Sequence, residues 1–181
     1  VPEIDNRGAL LEIRTVGYDH PDAVTLIDAV QQVYLERYGG IDATPVAPSD
    51  FAPPLGLFLV GYASGLPVVC GGWRLRRAGS DPQLRDGDVE LKRMYVMDRH
   101  RGRGYARLLL AELERAAVAA GGLRIVLETG TLQPEAVALY RSSGYRPMPR
   151  FGVYRDSEDS LCFTKPLGLP PAADETGDRC G

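Results

Sequence analysis

The 181-residue sequence carries only three cysteines and two histidines, and no two cysteines stand at CxxC spacing. A zinc knuckle and a dense disulfide framework are thereby excluded. Cys70 and Cys162 sit inside apolar runs and read as small core residues, while Cys180 stands alone in a polar stretch. Neither His20 nor His100 has a metal-ligand partner at useful spacing, so both read as surface residues and no metal is expected. No apolar run approaches the ~20 residues a membrane span needs, so no membrane partner is expected. The opening Val1, Pro2, Glu3, Ile4, Asp5 lacks the basic and apolar segments of a signal peptide, and a cytoplasmic location is the expectation. Basic residues are not in excess: 21 Lys and Arg against 24 Asp and Glu leave a formal charge of −3. That argues against a nucleic-acid partner, but not against a local basic patch for a phosphate.

What is present suits one domain over residues 1–167. Residues 168–181, rich in Pro, Gly and acids, read as a disordered tail. A strand is expected at 9–16, then a helix opened by Pro21 and stopped by Gly39 and Gly40. A four-proline loop follows, with one short helical turn near 49–51. Apolar runs at 56–63 and 67–74, joined by Ser64 and Gly65, read as a hairpin, and a third run occupies 88–96. Between 101 and 120 an apolar stripe at helical spacing (Tyr105, Leu108, Leu109, Leu113, Ala117) precedes a strand at 124–129 and a short helix at 134–143. Residues 151–155 and 161–165 are expected to close the sheet as a strand pair. The order implies a mixed α/β domain: antiparallel strands first, one strand–helix–strand unit, a helix, and a closing pair.

The strongest chemical signal is the run Arg101, Gly102, Arg103, Gly104, Tyr105, Ala106, placed between a strand and a helix. A helix N-terminus offers unpaired amides and a favourable dipole to an anion, and glycine lets a phosphate reach them. Arg101, Arg103 and Arg107 add positive charge. A P-loop is excluded, since GxxxxGK[ST] is absent. A dinucleotide fold fits less well: the third small position is Arg107, and the unit does not open the chain.

Arg101-x-x-Gly104-x-Ala106 resembles the Q/R-x-x-G-x-G/A pyrophosphate loop of the GNAT superfamily of N-acetyltransferases. Ala136, Leu139, Tyr140, Gly144 and Tyr145 resemble that family's second motif, NxxAxxLYxxxGF, with Gln133 in place of the asparagine. The resemblance implies the GNAT fold: a mostly antiparallel sheet with one parallel, splayed strand pair, flanked by helices. It implies acetyl-CoA as cosubstrate, its diphosphate on residues 101–107 and its pantetheine arm against Met94, Tyr95 and Val96, with Gln133 nearby. Tyr140 is then the acid that protonates the departing thiolate, because a phenol with a pKa of about 10 stays protonated at neutral pH. Glu90 stands on the strand where several members place a general base, with Glu128 the second candidate.

The acceptor pocket is expected from residues 34–54 and 151–165, including Tyr34, Tyr38, Asp42, Phe51 and Tyr154, with Trp73 and Arg74 facing it and Arg74 on an acceptor carboxylate. The acceptor is read as a primary amine on a small molecule or peptide, attacked directly in a ternary complex. Cys70 and Cys162 lack the flanking groups of a covalent route. The resemblance also leaves room for a homodimer. Two other readings stay open here: a non-catalytic acyl-CoA sensor and a nicotinamide-dependent oxidoreductase.

Overall fold

A computed structural model describes residues 2–4 and 10–168 of the chain. The expected tail and Cys180 lie outside them, apart from Gly168. Among the described residues, eight strands form one sheet in the order β1-β2-β3-β4-β5-β6-β8-β7. The strands are β1 (Pro2–Ile4), β2 (Leu10–Thr15), β3 (Gly56–Ala63), β4 (Leu66–Leu75), β5 (Asp88–Val96), β6 (Arg124–Gly130), β7 (Arg146–Met148) and β8 (Ser160–Pro166). Three helices accompany them: α1 (Pro21–Tyr38), α2 (Tyr105–Ala119) and α3 (Pro134–Ser142). No helix among the described residues is long and apolar enough to cross a membrane.

The helices begin and end where their caps dictate. The imidazole of His20 accepts from the Asp22 amide at the start of α1, and Gly39 closes it in the left-handed conformation at φ 74°. The helix of the glycine segment starts at Tyr105, not Arg101, because Gly104 takes φ 88° and acts as the N-cap. Residues 101–103 are turn, preceded by a 3₁₀ turn at Asp98–His100.

One expected strand is absent. Residues 151–155 form turns, and the partner of β8 on the outer edge is the three-residue β7. Gly152 takes φ 74°. Its amide donates to Asp81 Oδ2 at 2.9 Å, and Arg155 Nη2 meets the same oxygen at 3.0 Å. A carboxylate from a distant loop thus captures backbone that a ladder would have used. β7 contains Pro147, which is tolerated because β7 is an edge strand.

Strand alternation divides the core between the two faces of the sheet. On one face α2 and α3 bury Leu109, Leu110, Leu113 and Tyr140 against Val69, Trp73, Leu91 and Leu127. On the other, α1 buries Leu26 and Ile27 against Phe58, Val60 and Cys70, and a separate cluster joins Val126, Phe151 and Cys162. Cys70 and Cys162 are core residues, as their apolar settings suggested.

β5 and β6 form a parallel pair, while the other paired strands are antiparallel. Their register runs from Asp88–Arg124 to Leu91–Leu127 and stops there. Both strands continue: β5 stays on β4 as far as Val96, and β6 stays on β8 as far as Gly130. The pair therefore splays beyond Leu91. The register of β4 and β5 slips between Cys70 and Gly72, and Arg93 takes φ 59°, a bulge that turns β5 away. The Cys70 thiol donates to the Arg93 carbonyl at 3.3 Å and braces it.

Candidate active site

On the α1 face, the two apolar clusters leave a charged strip between them. Arg74, Glu90 and Val126 are in register across β4, β5 and β6. Alternation then places Lys92 and Glu128 on the same face. Glu90 is 3% exposed. Its Oε2 accepts from Arg74 Nε at 2.8 Å and from Arg76 Nη1 at 3.1 Å, while Lys92 Nζ stands 3.5 Å from Oε1. Arg74 Nη1 also donates to Asp50 Oδ2 and the Pro45 carbonyl, each at 2.9 Å. Arg74 is thus occupied by the protein's own acceptors, which corrects its expected place on an acceptor carboxylate. Trp73, one residue away, points to the opposite face and lies in the α2 core.

Asp42, in the loop after α1, ion-pairs with Arg93 and lies 3.7 Å from Lys92 Nζ. Burial works to raise its carboxyl, but Lys92 and Arg93 overcome that and pull it down to about 2. Glu128 behaves oppositely. Burial raises its carboxyl above the ordinary 4.5, and the hydrogen bond from Ser160 and the charge of Lys92 only partly offset it. Ser160 Oγ donates to Glu128 Oε1 at 2.7 Å.

Two walls stand over this floor: residues 39–46 on one side and 149–159 on the other. Tyr154 Oη accepts from the Ala43 amide at 2.6 Å and ties them together. A cavity of about 290 Å³ opens on one side of this tie, with Tyr34, Tyr38, Asp42, Lys92, Glu128 and Gly130 among its lining. A second, of about 220 Å³, opens on the other side against Thr44, Pro45, Arg76 and Val153. Glu128 lines both. Of the residues expected at the acceptor pocket, Tyr34, Tyr38, Asp42 and Tyr154 line the larger cavity. Phe51 does not: it is 2% exposed and stacks on Tyr18 at 4.6 Å.

The larger cavity lies beside the splay, at Lys92, Thr129 and Gly130. Met94, Tyr95 and Val96 form the far end of β5, each partly exposed, past the last residue paired with β6. The glycine segment follows. Gly102 (φ 74°) and Gly104 (φ 88°) are left-handed and exposed, and a Cβ at Gly102 would meet nothing within 4 Å. Gly104 caps α2 with no side-chain hydrogen bond, so the start of the helix stays open. Arg101 and Arg107 are exposed beside it, and Arg103 is partly so. Arg101 donates to the Val96 carbonyl at 3.3 Å, and Arg107 to Ser142 Oγ at 3.0 Å. Ala106 is partly buried, and Tyr105 is 1% exposed, with its ring in the core. An open helix start, bare glycines and flanking guanidiniums fit a diphosphate, and an unpaired strand end fits an extended amide chain.

Gln133 caps α3 without a side-chain hydrogen bond and lines the larger cavity. Tyr140, on α3, is 5% exposed and packs near Tyr145 and Phe163. Burial raises its phenol far above the ordinary range, so it holds its proton. Tyr34 comes from α1 on the other face, yet its phenol, raised mainly by burial, is near enough to that of Tyr140 for the two to be coupled electrostatically. The two faces meet where β5 and β6 have parted. Of the two expected carboxylates, then, Glu90 is held inside a cluster of cations and Glu128 lines the larger cavity. Lys92, Gly130 and Ser160 were missed by sequence reasoning. Only Lys92 carried a signal, as a cation inside an apolar strand.

The Acetyltransferase (GNAT) family model matches residues 27–145. The chain is 37% identical over 150 residues to an IAA acetyltransferase of Azospirillum brasilense, covering 78% of this chain and 93% of that protein. A crystal structure from Klebsiella pneumoniae, assigned as an acyl-CoA N-acyltransferase, is similar with a TM-score of 0.71 and 28% identity over 87% of this chain and 98% of that one. The PaiA N-acetyltransferase of Thermoplasma acidophilum, solved with coenzyme A, shares the fold with a TM-score of 0.62 and 16% identity, over 86% of this chain and 98% of that one. The chain belongs to the GNAT family of acetyltransferases and is an N-acetyltransferase that uses acetyl-CoA.

Proposed function

We propose that the enzyme transfers the acetyl group to a primary amine by direct attack in a ternary complex, with Glu128 as proton acceptor and Tyr140 as proton donor. The observation that carries this reading is the end of the β5–β6 ladder at Leu91–Leu127, with a cavity lined by Lys92, Glu128 and Gly130 just beyond it. Residues 101–107 and the far end of β5 would hold acetyl-CoA, which supplies an acyl group activated as a thioester.

The chain's own groups divide the remaining work. An alkyl ammonium has a pKa of about 10.4 and must lose a proton before it can attack. Glu128 is suited to take it: its raised pKa brings it closer to a base's working range, and the Ser160 hydroxyl fixes Oε1 and leaves Oε2 to the amine. Glu90, whose oxygens meet Arg74, Arg76 and Lys92, instead holds those cations in place. Tyr140 is the donor to the departing sulfur: burial keeps its Oη protonated beforehand, and the second proton that the nitrogen sheds as the amide forms restores it. The thiols of Cys70 and Cys162 are raised by burial and so are poor nucleophiles, in keeping with transfer that has no acyl-enzyme.

The test is CoA release by the purified chain with acetyl-CoA and a panel of amines. Glu128→Gln and Tyr140→Phe should each lower kcat/KM by roughly 10²–10⁴-fold. Unimpaired turnover in either variant would remove that residue from its role. CoA release that never depends on an amine would remove the reaction.

A further inference from the structure

Three cations of the sheet floor converge on one carboxylate. Arg74 and Arg76 share Glu90 Oε2, and Lys92 faces Oε1. Two of the three have further partners. Arg74 reaches Asp50 and the Pro45 carbonyl; Lys92 reaches Thr44 Oγ1 at 3.2 Å and Asp42. Arg76 has less. Beyond the shared Glu90 oxygen, the hydrogen bond found for its side chain is a 3.5 Å contact from Nη2 to Ser80 Oγ. Asp81 is near enough to feel its charge, but the oxygens of Asp81 already accept from the amides of Gln83 and Gly152 and from Arg155. Arg76 is partly buried and lines the smaller cavity, not the larger one.

Resting on the transferase reading above, we infer that the smaller cavity is the subsite for a carboxylate of the acceptor, and that the acceptor is a small amino acid whose amine lies at Glu128 and whose carboxylate lies on Arg76. Glu128 lines both cavities; with the acetyl group arriving in the larger one beside the splay, an amine at Glu128 extends its substituents into the smaller one, where Glu90 stands with Arg74 and Arg76. That space is about 220 Å³, enough for a small amino acid and not for a long chain. A guanidinium fork matches a carboxylate in shape and charge, and one whose own partner is shared has donors to offer. A plain alkylamine would instead press its apolar end against Arg74 and Arg76 and strip water from them without replacing it. Phe151 and Val153, which also line it, give a small apolar side chain a surface to rest on.

The experiment compares free amino acids with their C-terminal amides as acceptors for the full chain, in wild type and Arg76→Gln. The readout is the ratio of kcat/KM values, acid over amide, within each protein, so any general loss of activity cancels. Wild type should prefer the free acid by on the order of 10-fold or more, the scale of a charge-assisted hydrogen bond. Arg76→Gln should bring the ratio near one, mainly through KM, and Arg76→Lys should restore part of it. Thermal melting of both variants shows whether they are folded. Equal use of acid and amide by wild type, or a ratio that Arg76→Gln leaves intact, overturns the carboxylate subsite while leaving amine acetylation standing. Failure of every amine, acid and amide alike, counts against the transferase reading instead.

Discussion

Two glutamates on one face of the sheet differ in what surrounds them. Glu90 meets three cations and lines only the smaller cavity; Glu128 meets a serine hydroxyl and lines both cavities. The sequence could not rank them, because two of the three cations on Glu90, Arg74 and Arg76, come from β4 and its extension, some 15 residues upstream. Register between strands, and not local pattern, brings them together. A consequence in pH follows. Burial raises Glu128, so its base form is lost as pH falls through a value above the ordinary 4.5. The kcat/KM profile should therefore show an acid limb above pH 4.5, with activity rising as pH rises through it. Glu128→Gln should abolish that limb as well as most of the rate. A limb that survives in the variant would belong to another group.

At the level of elements, the segments with strong local chemistry were legible. Pro21 and Gly39 bracket α1; the apolar runs of β3, β4 and β5 stand where they were expected; the glycines ahead of α2 mark an open helix start. Residues 151–155 misled because Phe151, Val153 and Tyr154 mimic a strand's composition. What decides their shape is Asp81, about 70 positions away, holding the Gly152 amide. β7 has three residues and a proline, too little for any pattern to betray. The glycine segment yields a sharp test. Gly104 sits at φ 88°, where any L side chain is strained by roughly 1–2 kcal/mol. Gly104→Ala should cost about that much stability, yet raise the Kd for CoA by 10-fold or more, since a methyl group would then stand at the proposed diphosphate site. Calorimetric titration beside a melting curve separates the two effects. Unchanged CoA affinity would move the diphosphate elsewhere.

Across the molecule, the sheet is a partition. One face carries α2 and α3 with the larger core; the other carries α1 and the charged strip; the splay of β5 and β6 is the passage between them. No single segment of sequence encodes that passage, since it depends on where two ladders stop agreeing. Asp42 links the α1 side to the floor through Lys92 and Arg93. Because folding lowers its pKa to about 2, its stabilising contribution is fully present above the unfolded value near 4 and is lost as pH falls towards 2. That contribution is about 2 kcal/mol. Urea unfolding measured from pH 5 down to 2 should show this slope, and Asp42→Asn should flatten it. An identical slope in the variant would place the acid sensitivity in other carboxylates.

The contact of Tyr154 with the Ala43 amide joins residues 111 positions apart. One wall of the acceptor channel thus belongs to a turn-rich stretch near the end of the fold, remote from the glycines ahead of α2. On the proposed assignment, exchanging 149–159 for the equivalent stretch of a relative should change which molecules are accepted and leave the grip on the donor as it was. On that assignment, chemistry and selectivity are housed in separate stretches of this chain, and one can be altered without the other.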